Sequence, residues 1–395
     1  MSDWGQAIDR YIDKITEELL EVRRHLHAHP EPSGQEYKTT KFLSEQLERA
    51  SVKHKVTSTR RGIIADAPGY DGVLRVAMRG DMDALYIHDE KQVAYRAQIE
   101  GVMHACGHDA HSTMVLGAVK ALMQVSDLLP WPCPWRAIFQ PAEETGEGAL
   151  EMIAEGAVEN TRGLVAFHVD PERPVGQVGS RHGEMTACCQ EFDVVIRGHG
   201  GHAARPHHST DPIAAAVHFV SDVYQMVPRV VDSRVPVVVT FGVIRGGENP
   251  NVIPEQVLLR GTARTLTTEA GETVRRFLAR LARCVGDITE TTIEIEFYPG
   301  PDAVVNDPRV TDLLNRAAAE VVGSENVHHI PKPSMGGEDF AAYGKRVPIS
   351  LMRLGVASSD VAEEFLHSPR FDIDERALSV GAKIMARAMV LMAKP

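Results

Sequence analysis

Residues 101–114 read GVMHACGHDAHSTM, which places three histidines and a cysteine within eight residues. Cys106 and His108 flank a single glycine. Thiolate and neutral imidazole are good ligands for a borderline divalent metal. The same pair with an orienting group also suits nucleophilic cysteine catalysis, so the stretch alone does not choose. A second signal lies in FQPAEETGEGA at 139–149, where Glu143 and Glu144 are adjacent after an apolar run. Neighbouring carboxylates repel unless a cation is close. A divalent metal would be that cation, with one glutamate ligating and the other taking a proton from metal-bound water; the alternative is a solvated acidic turn. His168 closes the apolar run LVAF, and His367 sits in EEFLHSPR. Alone, the first reads as a core histidine and the second as a surface one. Together with Cys106, His108 and a glutamate they make five ligands, enough for two metals sharing a bridging group.

These residues need a scaffold that gathers them. Short apolar strands recur at Val73–Met78, Arg136–Phe139, Leu164–Phe167 and Pro348–Leu354, separated by helical segments, a pattern that predicts βαβ units and a mainly parallel sheet. Acid or histidine clusters follow three of these strands, as expected for a site beyond the carboxyl ends of an open α/β sheet. Ile8, Ile12, Ile15, Leu19, Val22 and Leu26 advance in steps of four and three and predict one amphipathic helix ending before Pro30. Asp109 reads as the cap of a helix starting at Ala110.

Residues 187–297 have another texture: strand EFDVVIR, a helix opened by Asp211 and Pro212, strands VPVVVTFGVI and VLLRGTART, helix Glu269–Val285, and strand TTIEIEFY. The order β-α-β-β-α-β is the ferredoxin-like split motif. The helix after Asp211 is expected to carry Ile213, Val217, Val220, Tyr224 and Val227 on one face. The expected fold is thus α/β: a mainly parallel-sheet domain with helices on both faces, residues 1–186 and 298–395, interrupted by a ferredoxin-like α+β domain, residues 187–297. Gly198, Gly200 and Ala203 mimic a dinucleotide fingerprint, but Pro206 falls where its helix should run.

Composition removes several classes of function. The net charge is −12, and RRH at 23–25 and TRR at 59–61 read as small solvated faces, so no nucleic-acid partner is expected. The acidic, amphipathic N-terminus does not resemble a secretory signal. No apolar run approaches the ~18 residues of a membrane span, so neither membrane insertion nor export is expected and the cytoplasm is the expected compartment. Five cysteines without framework spacing read as free thiols rather than bridges.

The chain resembles the M20 family of metal-dependent amidohydrolases and peptidases, within it the aminoacylase, hippurate hydrolase and indole-acetyl-amino-acid hydrolase branch. The resemblance is carried, in order, by EVRRHLHAHPE (21–31), RGDMDAL (79–85), VMHACGHDAH (102–111), FQPAEE (139–144), GHGGHAARPH (198–207), NVIPE (251–255), GTART (261–265), GGEDF (336–340) and the late His367. It implies a dinuclear amidohydrolase that cleaves N-acyl-amino acids, with two divalent ions per subunit (zinc, manganese, cobalt or nickel). Cys106 would bridge them, and His108, Glu144, His168 and His367 would complete the ligands. Glu143 would be the general base toward a metal-bridging water, and Asp83 would orient a ligand histidine. Asp81 stands where other branches carry a ligand histidine. The resemblance further implies a homodimer through the inserted lid domain, with His202 stabilising the oxyanion in a neighbouring subunit, and Asn251 and Arg264 holding the substrate carboxylate. GGEDF would line the pocket through backbone contacts. A dipeptidase on the same site, or a non-catalytic binder of metal or acyl-amino acids, is the rival. After RGDMDAL the sequence departs from close relatives, and Tyr86 is expected to reshape the pocket mouth.

Overall fold

The computed structural model describes residues 3–359, 361 and 364–395. The chain forms two compact units: Met1–Met185 with Val304–Lys332 and Asp339–Pro395, and Thr186–Ala303 with Pro333–Glu338. The second unit therefore takes residues 186, 298–303 and 333–338, which the sequence reading assigned to the larger domain.

The larger unit is built on an eight-stranded sheet. Its four central strands, in spatial order Trp135–Gln140, Arg75–Asp81, Thr161–Pro174 and Ile349–Ala357, run parallel. Shorter strands flank them, antiparallel at the junctions with Ile63–Asp66 and Val178–Ser180. Alternation along the central strands sends successive side chains to opposite faces. Val76, Met78, Val165, Phe167, Met352 and Leu354 enter one core with the long helices. Ala77, Leu164, Ala166, Ile349 and Leu351 enter a second core with Met152 and Phe340. A fully buried Phe139 or Phe167 contributes roughly 1.5–3 kcal/mol through removal from water.

The first amphipathic stretch is two helices, Asp3–Lys14 and Thr16–Ala28, parted at Ile15 (φ −98°, ψ 11°), yet its six apolar residues stay in one core. Helix His108–Gln124 is buried almost all round, as expected of a helix between a sheet and other helices. It lies so close to the Arg75–Asp81 strand that a Cβ on Gly80 would stand 2.8 Å from the His111 carbonyl oxygen.

The smaller unit has a four-stranded antiparallel sheet in the order Val237–Arg245, Gln256–Thr265, Cys188–Arg197, Thr292–Pro299. Helices Pro212–Val230 and Thr268–Thr289 contribute to its core. This is the ferredoxin-like arrangement read from the element order. Asp211 caps the first helix, accepting from the Ile213 and Ala214 N–H groups. Of the five residues read onto one face, Val227 is buried and Val220 packs partly buried against the core. Ala215, Ala216, Phe219, Val223 and Val227 face the core, whereas Ile213, Val217 and Tyr224 are exposed. This helix is apolar on two sides, so periodicity could not choose between them. The glycine string at 198–203 opens no helix; the Pro212 helix follows only later.

Candidate metal centre

The centre gathers at the carboxyl ends of the parallel strands. Asp81 ends one strand, with Asp83 just beyond it, and the turn after Gln140 presents Glu143 and Glu144. His168 does not close its strand as expected, because the strand runs on to Pro174. The last paired residues with the neighbouring Arg75–Asp81 strand are Arg79 and Ala166, so His168 lies past the end of that ladder. There the Val169 N–H donates to a side chain, His111 Nε2, at 2.9 Å.

Cys106 lies in the loop before the His108–Gln124 helix, and His108 is the first residue of that helix. Gly107 between them has φ 83°, and a Cβ there would stand 2.5 Å from Val169 Cγ2. Only glycine meets both demands. His367 arrives on the C-terminal side, its N–H bonded to the Ala105 carbonyl at 2.8 Å and its own φ at 65°.

Five donor groups result among the described residues, the ligand atoms within each lying inside 4.8 Å: Cys106–His108–His168, Cys106–Glu144–His367, His108–Glu143–Glu144, Asp81–His108–His111 and Glu143–Glu338–Asp339. The first two share Cys106. His108 Nε2 is 3.9 Å from both Glu143 Oε2 and Glu144 Oε1, and His367 Nε2 is 3.4 Å from Glu144 Oε1.

Hydrogen bonds set the histidine tautomers. His108 Nδ1 donates to Asp83 Oδ1 at 3.0 Å, which turns Nε2 toward the other donors. Asp83 Oδ2 accepts from Ser33 Oγ at 2.7 Å and from the Glu144 N–H at 3.1 Å, so this carboxylate positions one histidine and one glutamate together. His168 Nδ1 donates to the Val169 carbonyl at 2.8 Å, which turns its Nε2 to Cys106 Sγ at 3.5 Å. Carboxylate or carbonyl backing of an imidazole is the usual support of a metal ligand.

The electrostatics ask for a cation. His108 Nε2 and Glu144 Oε1 are buried with no hydrogen-bond partner among the described residues, a costly state for polar atoms. Burial disfavours charging His108, but Asp81 and Asp83 outweigh it and hold its pKa well above the ordinary imidazole value. Burial, with Arg353 and His111 nearby, holds His168 well below that value and therefore neutral. Burial pushes the Cys106 thiol up to about 12, with Glu144 and Asp81 adding to the rise. A nucleophilic cysteine needs a depressed pKa; this thiol becomes a thiolate only beside a cation. One group offers a sulfur and two nitrogens, the other a sulfur, an oxygen and a nitrogen, and both donor sets suit divalent metals.

Other residues hold the centre from below and carry little local sequence signal. Arg79 is fully buried, bonded to Gln140 Oε1 at 2.8 Å, Asp81 Oδ2 at 2.5 Å and Asp339 Oδ1 at 3.0 Å. Asp81 also accepts from His111 Nδ1 at 2.6 Å, so both nitrogens of His111 are occupied and it is not available as a ligand. Asp339, from GGEDF, accepts from Gln140 and from the Ala149 N–H, and its own N–H donates to Glu143 Oε1 at 3.4 Å. Asp109 is not a helix cap. The helix begins at His108, and Asp109 is buried against Arg23 Nε at 2.9 Å and His27 Nδ1 at 2.7 Å. Arg23 is therefore not part of a solvated face; it is 1% exposed and also pairs with Asp372 and Glu375. His104 is buried, lowered to about 4 by that burial, and joins none of the donor groups among the described residues.

In the smaller unit, two short strands pair His202 with Val252, and the Ala203 N–H donates to the Asn251 carbonyl at 3.0 Å. His202 and Asn251 are thereby brought together, both exposed. Arg264 donates through Nη1 to the Met335 carbonyl at 3.0 Å. Tyr86 is exposed, its hydroxyl accepting from Gln35 Nε2 at 3.0 Å.

Known proteins share this organisation. Residues 77–390 match the model of peptidase family M20/M25/M40. The chain is 37% identical to a probable hydrolase of Synechocystis sp., with 94% of each chain covered. It is 35% identical to the N-acetylcysteine deacetylase of Bacillus subtilis, covering 95% of this chain and 96% of the relative. The crystal structure of a dinuclear metal-binding peptidase of the M20 family from Bacillus subtilis superposes with a TM-score of 0.83 at 31% identity, covering 96% of this chain and 99% of the other. No described helix is long and apolar enough to cross a membrane. A sequence match across most of the chain, joined to clustered metal donors at the expected strand ends, means that this protein belongs to peptidase family M20/M25/M40, in its amidohydrolase branch, and is a hydrolase.

Proposed function

We propose that this protein hydrolyses the amide bond of N-acyl-amino acids at a dinuclear metal centre. The observation that carries the reading is the pair of donor groups sharing Cys106 beside a glutamate outside both. Cys106, His108, Glu144, His168 and His367 would hold two divalent ions. Such ions supply Lewis acidity, polarising an amide carbonyl and making water acidic enough to lose a proton near neutral pH. Glu143 is the proton carrier: Oε1 is held by the Asp339 N–H, and Oε2, 3.9 Å from His108 Nε2, takes the proton and returns it to the leaving amine. Asp83 keeps His108 and the Glu144 backbone in register. Arg264 and Asn251 are suited to a substrate carboxylate, the guanidinium through two parallel hydrogen bonds.

The relative named for N-acetylcysteine deacetylation supports an acyl-amino-acid substrate; the structural neighbour named as a peptidase supports dipeptide hydrolysis as the second reading. The test is removal of metal with a chelator, restoration with zinc, manganese, cobalt or nickel, and a panel of N-acetyl and N-benzoyl amino acids alongside dipeptides. Metal-dependent release of free amino acid from the acyl substrates is expected. Preference for dipeptides would favour the second reading, and absence of any turnover a binding protein. Chelator-insensitive hydrolysis abolished by Cys106→Ser would overturn the metal mechanism.

The smaller unit is suited to homodimer formation, in which His202 would stabilise the oxyanion in the partner's centre. Ile213, Val217, Val220, Ile244 and Val257 line an open apolar groove of about 350 Å³ beside the edge strand Val237–Arg245. Sedimentation should give a dimer that Val217→Asp dissociates; an unchanged mass would remove this face from the interface.

A further inference from the structure

The turn presenting the two glutamates is strained and anchored from a distance. Ala142 has φ 51°, a left-handed conformation that costs a non-glycine residue roughly 1–2 kcal/mol. Its N–H donates to Glu36 Oε1 at 2.7 Å, across 106 residues of sequence, and the Gly34 N–H meets the same oxygen at 3.0 Å. Glu36 is fully buried, and its Oε2 has no hydrogen-bond partner among the described residues, with Arg61 Nη1 3.8 Å away. Although Glu36 precedes helix Tyr37–Arg49, its side chain makes no capping bond to that helix. A buried carboxylate carries a desolvation cost, and here its close contacts are Gly34 next to it and the residue immediately before Glu143.

We propose that Glu36 is a positioning residue for the Glu143–Glu144 pair: by accepting the Ala142 N–H it holds that alanine in the left-handed region and so aims both carboxylates into the metal centre. The inference rests on the reading of Glu143 as the proton carrier. Reach, rather than charge, is what the role requires. Glutamine keeps an oxygen at the right distance, whereas aspartate keeps the charge and falls one methylene short.

The test compares kcat, KM and bound metal for Glu36→Gln, Glu36→Asp and Glu36→Asp/Ala142→Gly in the metal-loaded protein. Glu36→Gln should stay within about threefold of wild type in kcat. Glu36→Asp should lose about 10- to 100-fold in kcat, the scale of a small misplacement of a reacting group, with KM within about threefold and metal retained. Adding Ala142→Gly should recover about fivefold, because glycine adopts the left-handed conformation without the cost. A Gln variant as impaired as the Asp variant, or no recovery with glycine, overturns the inference. Glu143→Gln is assayed alongside: full activity in that variant removes the functional reading itself, whereas an inactive Glu143→Gln with no glycine rescue removes only the role of Glu36.

Discussion

Replacing Gly107 with alanine tests whether the segment between the first two ligands is as constrained as its geometry implies. The new Cβ meets two independent penalties. At φ 83° an L side chain costs roughly 1–2 kcal/mol. The Cβ would also stand 2.5 Å from Val169 Cγ2, and overpacking a filled core costs typically about 1–3 kcal/mol. Val169 is fully buried and β-branched, with few rotamers to escape into. The total is about 2–5 kcal/mol. Relief by moving backbone would act on the metal donors, because Gly107 joins Cys106 to His108 and Val169 follows His168. Urea unfolding of the metal-loaded protein should show the loss, and elemental analysis should show metal below the wild-type ratio. A double-mutant cycle with Val169→Ala separates the penalties: the steric part, about 1–3 kcal/mol, should appear as coupling between the sites, while the dihedral part persists. If Gly107→Ala lies within about 0.5 kcal/mol of wild type and keeps its metal, the account of how this loop holds the centre is wrong.

Other consequences are equally direct. Glu143→Gln should keep its metal while kcat falls by about 10²–10⁴; loss of metal with turnover retained would reverse the roles of the two glutamates. In metal-free protein at pH 7.5, Cys106, pushed up to about 12, should resist alkylation while exposed Cys284 reacts, as mass mapping would show; rapid labelling of Cys106 would revive the nucleophilic reading. Arg79→Met removes the buried cation that Asp81 and Asp339 share and should cost about 3–5 kcal/mol in denaturant unfolding; a near-neutral result would mean these carboxylates are neutral in the fold. Burial, with Asp83 adding to it, raises Glu36 from 4.5 to about 7. A carboxyl raised on folding contributes stability that is present in full below pH 4.5 and is lost as pH rises through 7. Metal-free protein should therefore lose up to about 3 kcal/mol over that window through this group, and Glu36→Gln should flatten that part of the stability–pH profile; an unchanged profile would place the titration elsewhere.

Much of the centre was legible because its signals are local. Cys106 and His108 share one loop, Glu143 and Glu144 share one turn, and the strands before them announce themselves by apolar runs. Asp339 lay inside the quoted motif GGEDF and Glu36 just past EVRRHLHAHPE, but their bonds to Glu143 and Ala142 span 196 and 106 residues. Nothing in local spacing encodes such a bond. Arg23 shows the same limit from the other side: between neighbours it looks like a surface cation, yet Asp109, Asp372 and Glu375 converge on it from distant segments.

By itself the sequence determined which elements form, their order, and which residue types stand at the ends of the parallel strands, since periodicity, caps and turn residues act over a few positions. Tertiary structure decided which face of the Pro212–Val230 helix is buried, which histidines keep a ring nitrogen without a hydrogen bond, and which carboxylates are consumed in holding others. His111 and His108 look alike in the chain. One has both nitrogens bonded, to Asp81 and Val169, and the other keeps its Nε2 for the metal centre. A donor's availability depends on what else reaches it through space, and that is a property of packing.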